Sequence, residues 1–281
     1  MPEARRPKGG AHSKKQVQSY SPQKRTLEKK QAKSKTPSAN IRLGSDVLYM
    51  AVLLAISMLI SAGLLQNQLV TLMPQAGQSG VRASLLFVSY FVVLLALSYA
   101  AYRHRENALD FYRLRARLSQ QEEDASARAS AKQTLMSAGL VLSFLVGLRI
   151  FSAGWTLFTQ EIGWRIGSTA DVLALFGSGS VGLILTVVLV VVLAPLVEEL
   201  VFRGLIQKWL AMRMAPWLSI GLTSLLFALY HLSFWAAPLN IALGICTGYL
   251  AKRCQTLYPA IALHLLYNAT IVGAAFYLAS M

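Results

Sequence analysis

The chain has 281 residues, of which 55% are hydrophobic and 14% are charged, and its mean hydropathy is +0.48. This composition excludes an ordinary soluble domain and indicates a protein that lies in a bilayer. A net charge of +15 would suggest nucleic-acid binding in a soluble protein, but basic residues also set the orientation of membrane proteins. We therefore expect a lipid environment and no nucleic-acid partner.

The first 44 residues form a basic segment with almost no large apolar side chains. Such a segment cannot bury enough apolar surface to offset the entropy of ordering, so we predict a disordered tail over residues 1–44. Its paired Lys and Arg residues would attract anionic lipid at the cytoplasmic leaflet. Simple retention of the tail in the cytoplasm explains the same charges equally well. Only Tyr20 interleaves these charges, which argues against binding of single-stranded nucleic acid.

Long apolar runs follow the tail and predict an all-α, polytopic helical bundle, because a membrane helix needs about 20 apolar residues. The predicted spans are Asp46–Gln66, Ala83–Tyr102, Thr134–Phe158, Ser180–Val197, Trp217–Ser233, Pro238–Ala251 and Tyr258–Ser280. The segment Ile162–Gly179 is either an outer loop or a short re-entrant helix, so the bundle has seven or eight spans. The charged loop Arg103–Lys132 is expected to extend the second span as a solvated helix.

Basic residues collect on one side of these spans. If the tail is inside, 24 of the 27 Lys and Arg residues lie on the cytoplasmic side. The sequence therefore predicts a multi-pass cell-membrane protein with a cytoplasmic N-terminus, of bacterial type because it is compact and lacks a signal segment. We divide it into the tail, N-terminal membrane helices over residues 45–179 and a helical core over residues 180–281.

Ionisable groups within apolar spans are costly and are therefore candidates for function. The first pattern is Glu-Glu-x-x-x-Arg over Glu198–Arg203. On a helix Glu199 and Arg203 share a face and can form an ion pair, whereas Glu198 points about 100° away. We expect Glu199 to be held as a partner of Arg203, and Glu198 to be free to exchange a proton.

Two further patterns place histidines at helical i, i+4 spacing, Phe227-x-x-x-His231 and His264-x-x-x-Asn268. Either histidine alone fits a satisfied core residue or an interhelical hydrogen bond. Counting residues from the helix ends, however, brings Glu198, His231, His264 and Asn268 to a similar depth. The sequence thus predicts that these four side chains surround one water-accessible void.

Two features of the spans leave alternatives open. Ser180–Arg213 would form about 50 Å of helix, too long for one straight span, and Pro195 offers a break or kink. Arg149 lies about 15 residues into the third span. It either extends to the outer interface or pairs with an acid of the site or with substrate.

Taken together, the three patterns resemble the CPBP family of CAAX prenyl endopeptidases and bacteriocin-processing or immunity proteases. The resemblance covers roughly residues 180–274. It implies that Glu198 activates water with help from His231, that His264 and Asn268 stabilise the oxyanion, and that Glu199, Arg203 and Phe227 support them.

The resemblance leaves the metal question open. Glu198, His231 and His264 are the types of side chain that bind zinc in hydrolases, but no His-Glu-x-x-His motif is present. Glutamate chemistry without metal is favoured slightly, because Asn268 is a poor zinc ligand and a good oxyanion donor.

The expected function is therefore an intramembrane endopeptidase that acts on a membrane-associated peptide or protein, prenylated or not. The main alternative is a non-enzymatic membrane immunity or peptide-binding protein of the same fold. A transporter would predict inverted repeats, and none is apparent in the sequence.

Overall fold

The computed structural model describes residues 44–46, 48–50, 53, 75–103, 123–164, 176–177 and 179–281. For residues 75–77, 79 and 123–132 only the helical backbone is described. The predicted tail, most of the first predicted span and most of the segment Ile162–Gly179 lie outside these residues.

Helices form nearly all of the described structure, and no β-strand occurs in these ranges. We number the longer helices α1 (Gln75–Arg103), α2 (Glu123–Glu161), α3 (Ser180–Ala211), α4 (Pro216–Tyr230), α5 (Ala237–Cys254) and α6 (Tyr258–Ala279). Proline stands in the first turn of α4, α5 and α6, where its missing N–H has no helical partner to lose.

By length and composition, four of the described helices can cross a membrane, namely Gly80–Arg103, Gln133–Glu161, Ser180–Ala211 and Tyr258–Ala279. Helix α4 is apolar but shorter. These helices confirm the predicted all-α, polytopic membrane fold. Near the start of the first predicted span, Asp46 accepts a hydrogen bond of 2.8 Å from Arg103 at the end of α1. This ion pair places Asp46 beside the last turn of α1.

The charged segment Arg103–Lys132 is described only in part. Residues 104–122 lie outside the described residues, so the predicted extension of the second span stays a prediction. Residues 123–132 belong to α2, which begins at Glu123 and thus extends the third predicted span at its start.

Helix α3 runs through Pro195 without the break that the sequence suggested. Two stretches, Val187–Leu193 and Leu200–Ile206, have π-helical geometry, and an α-helical segment, Ala194–Glu199, lies between them. At the end of the first stretch the N–H of Ala194 donates to the carbonyl of Leu189, five residues back. In this register the helix accommodates a proline, because the wider turn relieves the usual clash with the preceding turn.

The core of the bundle surrounds the second half of α3. Every residue of Leu200–Ile206 is buried, and α4 and α5 pack against this stretch, whereas α6 packs against the preceding segments Val187–Leu193 and Ala194–Glu199. Helices α4 and α5 approach closely at Gly244, where an added Cβ would lie 2.8 Å from the Cβ of Ser224. A small residue is therefore required at this crossing.

Replacing Gly244 by alanine should force α4 and α5 apart. We expect the Gly244→Ala variant to lose about 1–3 kcal/mol of stability, as overpacked cores do, measured by thermal unfolding in detergent. Gly221→Ala on α4 is the matched control, because nothing lies within 4 Å of its added Cβ. Equal unfolding temperatures for the two variants would show that the close approach is not a constraint.

Candidate functional site

Two adjacent acids lie at the centre of the bundle. Glu198 and Glu199 end the α-helical segment Ala194–Glu199 and are 6% and 0% exposed. Irregular π geometry on both sides of a short helical segment is common at functional sites. Because neighbouring residues on a helix point about 100° apart, the two carboxylates have different surroundings.

Glu199 forms the ion pair that the spacing predicted. Arg203 Nη1 lies 2.8 Å from Glu199 Oε1, and both side chains are fully buried. Arg203 Nη2 donates to the carbonyl of Gly244 on α5 at 3.3 Å, and the guanidinium lies 4.6 Å from the ring centroid of Phe227 on α4. A single arginine thus connects α3 with α4 and α5.

His264 on α6 lies between the two acids. Its Nδ1 is 2.8 Å from Glu199 Oε1, and its Nε2 is 3.6 Å from Glu198 Oε2. The first distance is a hydrogen bond in which the imidazole N–H donates to the carboxylate, and the second is an ionic contact too long to be one. Glu199 therefore orients two side chains, Arg203 and His264. The sequence did not predict its contact with His264.

His231 lies at the edge of this cluster. The predicted span Trp217–Ser233 required His231 to lie within the helix. Instead α4 ends at Tyr230, and His231 is its C-cap residue. Its side chain is exposed, and its Nδ1–H donates to the carbonyl of Phe227 at 2.9 Å. The carbonyl can only accept, so Nδ1 carries a hydrogen, and in the neutral ring Nε2 then has the lone pair.

The buried ring of Phe227 lies against both histidines. Its centroid is 4.7 Å from that of His231 and 5.6 Å from that of His264, with edge-to-face geometry in each case. The ring therefore fixes the orientation of both imidazoles and contacts each of them.

Asn268 reaches back to the irregular part of α3. Its Nδ2 donates to the carbonyl of Val190 at 3.0 Å. The N–H of Ala194 donates to the carbonyl of Leu189, five residues back. With the same spacing the carbonyl of Val190 would accept from residue 195, but that residue is Pro195, which has no N–H. The Asn268 amide thus supplies the donor that the helix lacks. Its second hydrogen and its carbonyl oxygen are available for other contacts.

Two tyrosines near Glu198 were not identified from the sequence. Tyr90 on α1 and Tyr230 on α4 both interact electrostatically with the Glu198 carboxylate. The only sequence signal was a hydroxyl-bearing aromatic residue within an apolar span. Because α1 carries no recognisable motif, its contribution to the site appears only in the structure.

The residues suggested for zinc do not form a metal site in this geometry. Within the described ranges, no three His, Cys, Asp or Glu side chains are arranged to hold an ion. Both ring nitrogens of His264 face carboxylates, and Nδ1 of His231 is used by its own helix. Glu198, His231 and His264 would have to rearrange before they could share one cation.

A cavity of about 170 Å³ reaches Arg203 from one end of the bundle. Its lining comes from both the α3–α4 turn and the α5–α6 turn, so these two turns lie at the same end. The lining residues are Arg203, Gln207, Lys208, Ala211, Pro216, Ser219, Ala251, Lys252, Gln255 and Leu257. Glu198 is not among them, so the water-accessible void predicted beside that acid remains a prediction.

The fold and these contacts define a helical membrane protein with a buried acid–imidazole cluster. Comparison with known families narrows the class of protein further. The family described as Rce1-like, type II CAAX prenyl endopeptidase, matches residues 180–270, from the start of α3 into α6. Over this segment the chain is similar to the CAAX protease (CPBP) family, as the three motifs predicted. No curated protein and no solved structure matched the chain.

Removing the charge of Glu199 should destabilise the whole cluster. In Glu199→Gln the buried Arg203 guanidinium has no carboxylate partner, and we expect a loss of about 3–5 kcal/mol in unfolding free energy. Glu161→Gln, at an exposed acid of α2, is the control. The double variant Glu199→Gln/Arg203→Met should recover part of the loss. A stable Glu199→Gln variant would contradict the role of the pair.

Proposed function

We propose that this protein is an intramembrane endopeptidase that hydrolyses a peptide bond in a membrane-associated peptide or protein. The observation that carries the proposal is the buried Glu198 carboxylate, 3.6 Å from the His264 imidazole, within the segment that matches the family. An acid beside an imidazole can take a proton from water and stabilise the charge that develops during attack on a carbonyl.

In this mechanism Glu198 is the general base. It removes a proton from a water molecule that attacks the scissile carbonyl, and it returns that proton to the leaving amine. His231 assists through the lone pair on Nε2, since its Nδ1–H is committed to Phe227. Burial of Glu198 excludes bulk water, which makes nearby charges and dipoles more effective.

His264 and Asn268 stabilise the oxyanion. Nδ1 of His264 is held by Glu199, which leaves Nε2 to face Glu198; a hydrogen on Nε2 can donate to a developing negative charge. Asn268 contributes the amide hydrogen that does not bind Val190. Glu199 and Arg203 position His264 and do not touch the substrate. No step of this mechanism requires a metal ion.

The proposed environment follows from the distribution of charge. Lys208 and Lys252 line the cavity between the α3–α4 and α5–α6 turns, so this end of the bundle is basic. Basic ends of membrane proteins face the cytoplasm, so we infer that this end of the bundle is cytoplasmic. The cytoplasmic N-terminus and the bacterial cell membrane stay predictions from the sequence. A CAAX-type peptide is the first substrate class to test, with its prenyl group present or absent.

The direct test is the Glu198→Gln variant. Loss of the general base should lower kcat about 10²–10⁴-fold while folding is retained, because the amide has nearly the same shape. Activity is measured with quenched fluorescent CAAX-type peptides, prenylated and unprenylated, on purified protein in proteoliposomes. The control is Glu161→Gln, which removes an exposed acid outside the cluster.

The same assay separates the alternatives. A non-enzymatic binder or immunity protein would show no hydrolysis that depends on Glu198. Loss of activity on chelation, with recovery on addition of Zn²⁺, would contradict the metal-independent mechanism.

The role of Asn268, which lies on α6, can be tested by a substitution on α3. Pro195→Ala provides an N–H that competes for the Val190 carbonyl, so Asn268 should lose its anchor. In Asn268→Ala, removal of one oxyanion donor should lower kcat about 10²–10³-fold. We expect kcat of Pro195→Ala to fall towards that of Asn268→Ala, with little change in KM. Pro238→Ala, in the first turn of α5, is the control. Full kcat in Pro195→Ala would exclude this positioning.

A further inference from the structure

Arg149 is a cation near the middle of a membrane-crossing helix. It lies 16 residues after the start of the span Gln133–Glu161 and 12 residues before its end. At 1.5 Å per residue these are distances of about 24 Å and 18 Å along the helix, so neither end of the span is near. A charge at such a depth is costly and is retained where it has a partner or a function.

No acid compensates this charge within the described residues. The guanidinium of Arg149 lies 5.9 Å from the ring centroid of Tyr267, and no ion pair or hydrogen bond joins it to a described side chain. Its side chain is half-buried between α2 and α6. The contact with Tyr267, nine residues into α6, keeps the guanidinium at mid-depth and away from the helix ends.

Tyr267 connects Arg149 to the site, because it lies between His264 and Asn268 on α6. One helical turn separates these residues, so the guanidinium lies on the order of 10–15 Å from the His264 ring. An extended peptide covers that distance with about three or four residues. Arg149 is thus placed to contact a bound peptide a few residues from its scissile bond.

We propose that Arg149 binds the C-terminal carboxylate of the substrate peptide. This inference rests on the proposed function, since it names the substrate group that the same site selects. A chain that ends inside the bilayer brings a carboxylate that must be paired there, and a planar guanidinium pairs with a carboxylate through two parallel hydrogen bonds. The half-buried position of Arg149 leaves it open to such a group.

The test measures binding, so that it does not depend on hydrolysis. A fluorescein-labelled, S-farnesylated CAAX-type peptide is prepared with a free C-terminal carboxylate and with a C-terminal amide. Fluorescence anisotropy gives the Kd of each for the full-length Glu198→Gln protein in detergent. We expect the acid to bind about 10- to 100-fold more tightly than the amide, the range for a hydrogen-bonded charged group. In Glu198→Gln/Arg149→Gln this preference should disappear.

Three comparisons make the result specific. Arg253→Gln, which removes an exposed cation at the end of α5, should keep the full preference for the acid. Arg149→Lys should keep part of it, because charge remains without the planar fork. An amidated peptide with Glu as its last residue identifies the source of the carboxylate. If it binds as tightly as the acid, Arg149 accepts a side-chain carboxylate as well.

Equal Kd values for the acid and the amide overturn the inference, and this comparison needs no change at Arg149. Retention of the preference in the Arg149→Gln background overturns it too. Failure of the proposed function has a different signature. In that case the protein with Glu198 intact hydrolyses neither peptide, while the carboxylate-dependent binding and its loss in Arg149→Gln persist.

Discussion

The buried ion pair between Glu199 and Arg203 constrains the whole helical core. Two full charges are buried in the core, and each needs partners that an apolar bundle rarely offers. Their partners come from three other helices: His264 on α6, the Gly244 carbonyl on α5 and the Phe227 ring on α4. Helix positions that satisfy these charges also bring His264 against Glu198.

A second constraint comes from the backbone of α3. In lipid every backbone carbonyl needs an internal donor, and Pro195 removes one in the middle of a span. The π-helical register and the Asn268 amide together satisfy the affected part of the helix. The same side chain that belongs to the His-x-x-x-Asn motif is therefore also a link between α3 and α6.

These constraints give the two neighbouring glutamates different surroundings. Glu199 is committed to Arg203 and His264, whereas Glu198 has a longer contact with His264 and two tyrosines nearby. The proton transfer that we propose for Glu198 needs a carboxylate that is not already committed to a partner. The two arginines differ in a similar way, since Arg203 is paired with Glu199 within the core, whereas Arg149 faces α6 without an acid among the described residues.

The sequence alone determined the helical class, the membrane setting, the ion pair at i, i+4 spacing and the resemblance to a protease family, because each depends on composition, local periodicity or motif spacing. Only the tertiary structure decided that α3 continues through Pro195 and that His231 caps α4. It also decided that Glu199 binds His264 and that Tyr90 lies near Glu198. These features depend on how helices remote in sequence pack, and no pattern within one helix records which side chain of another will satisfy its buried charges and carbonyls.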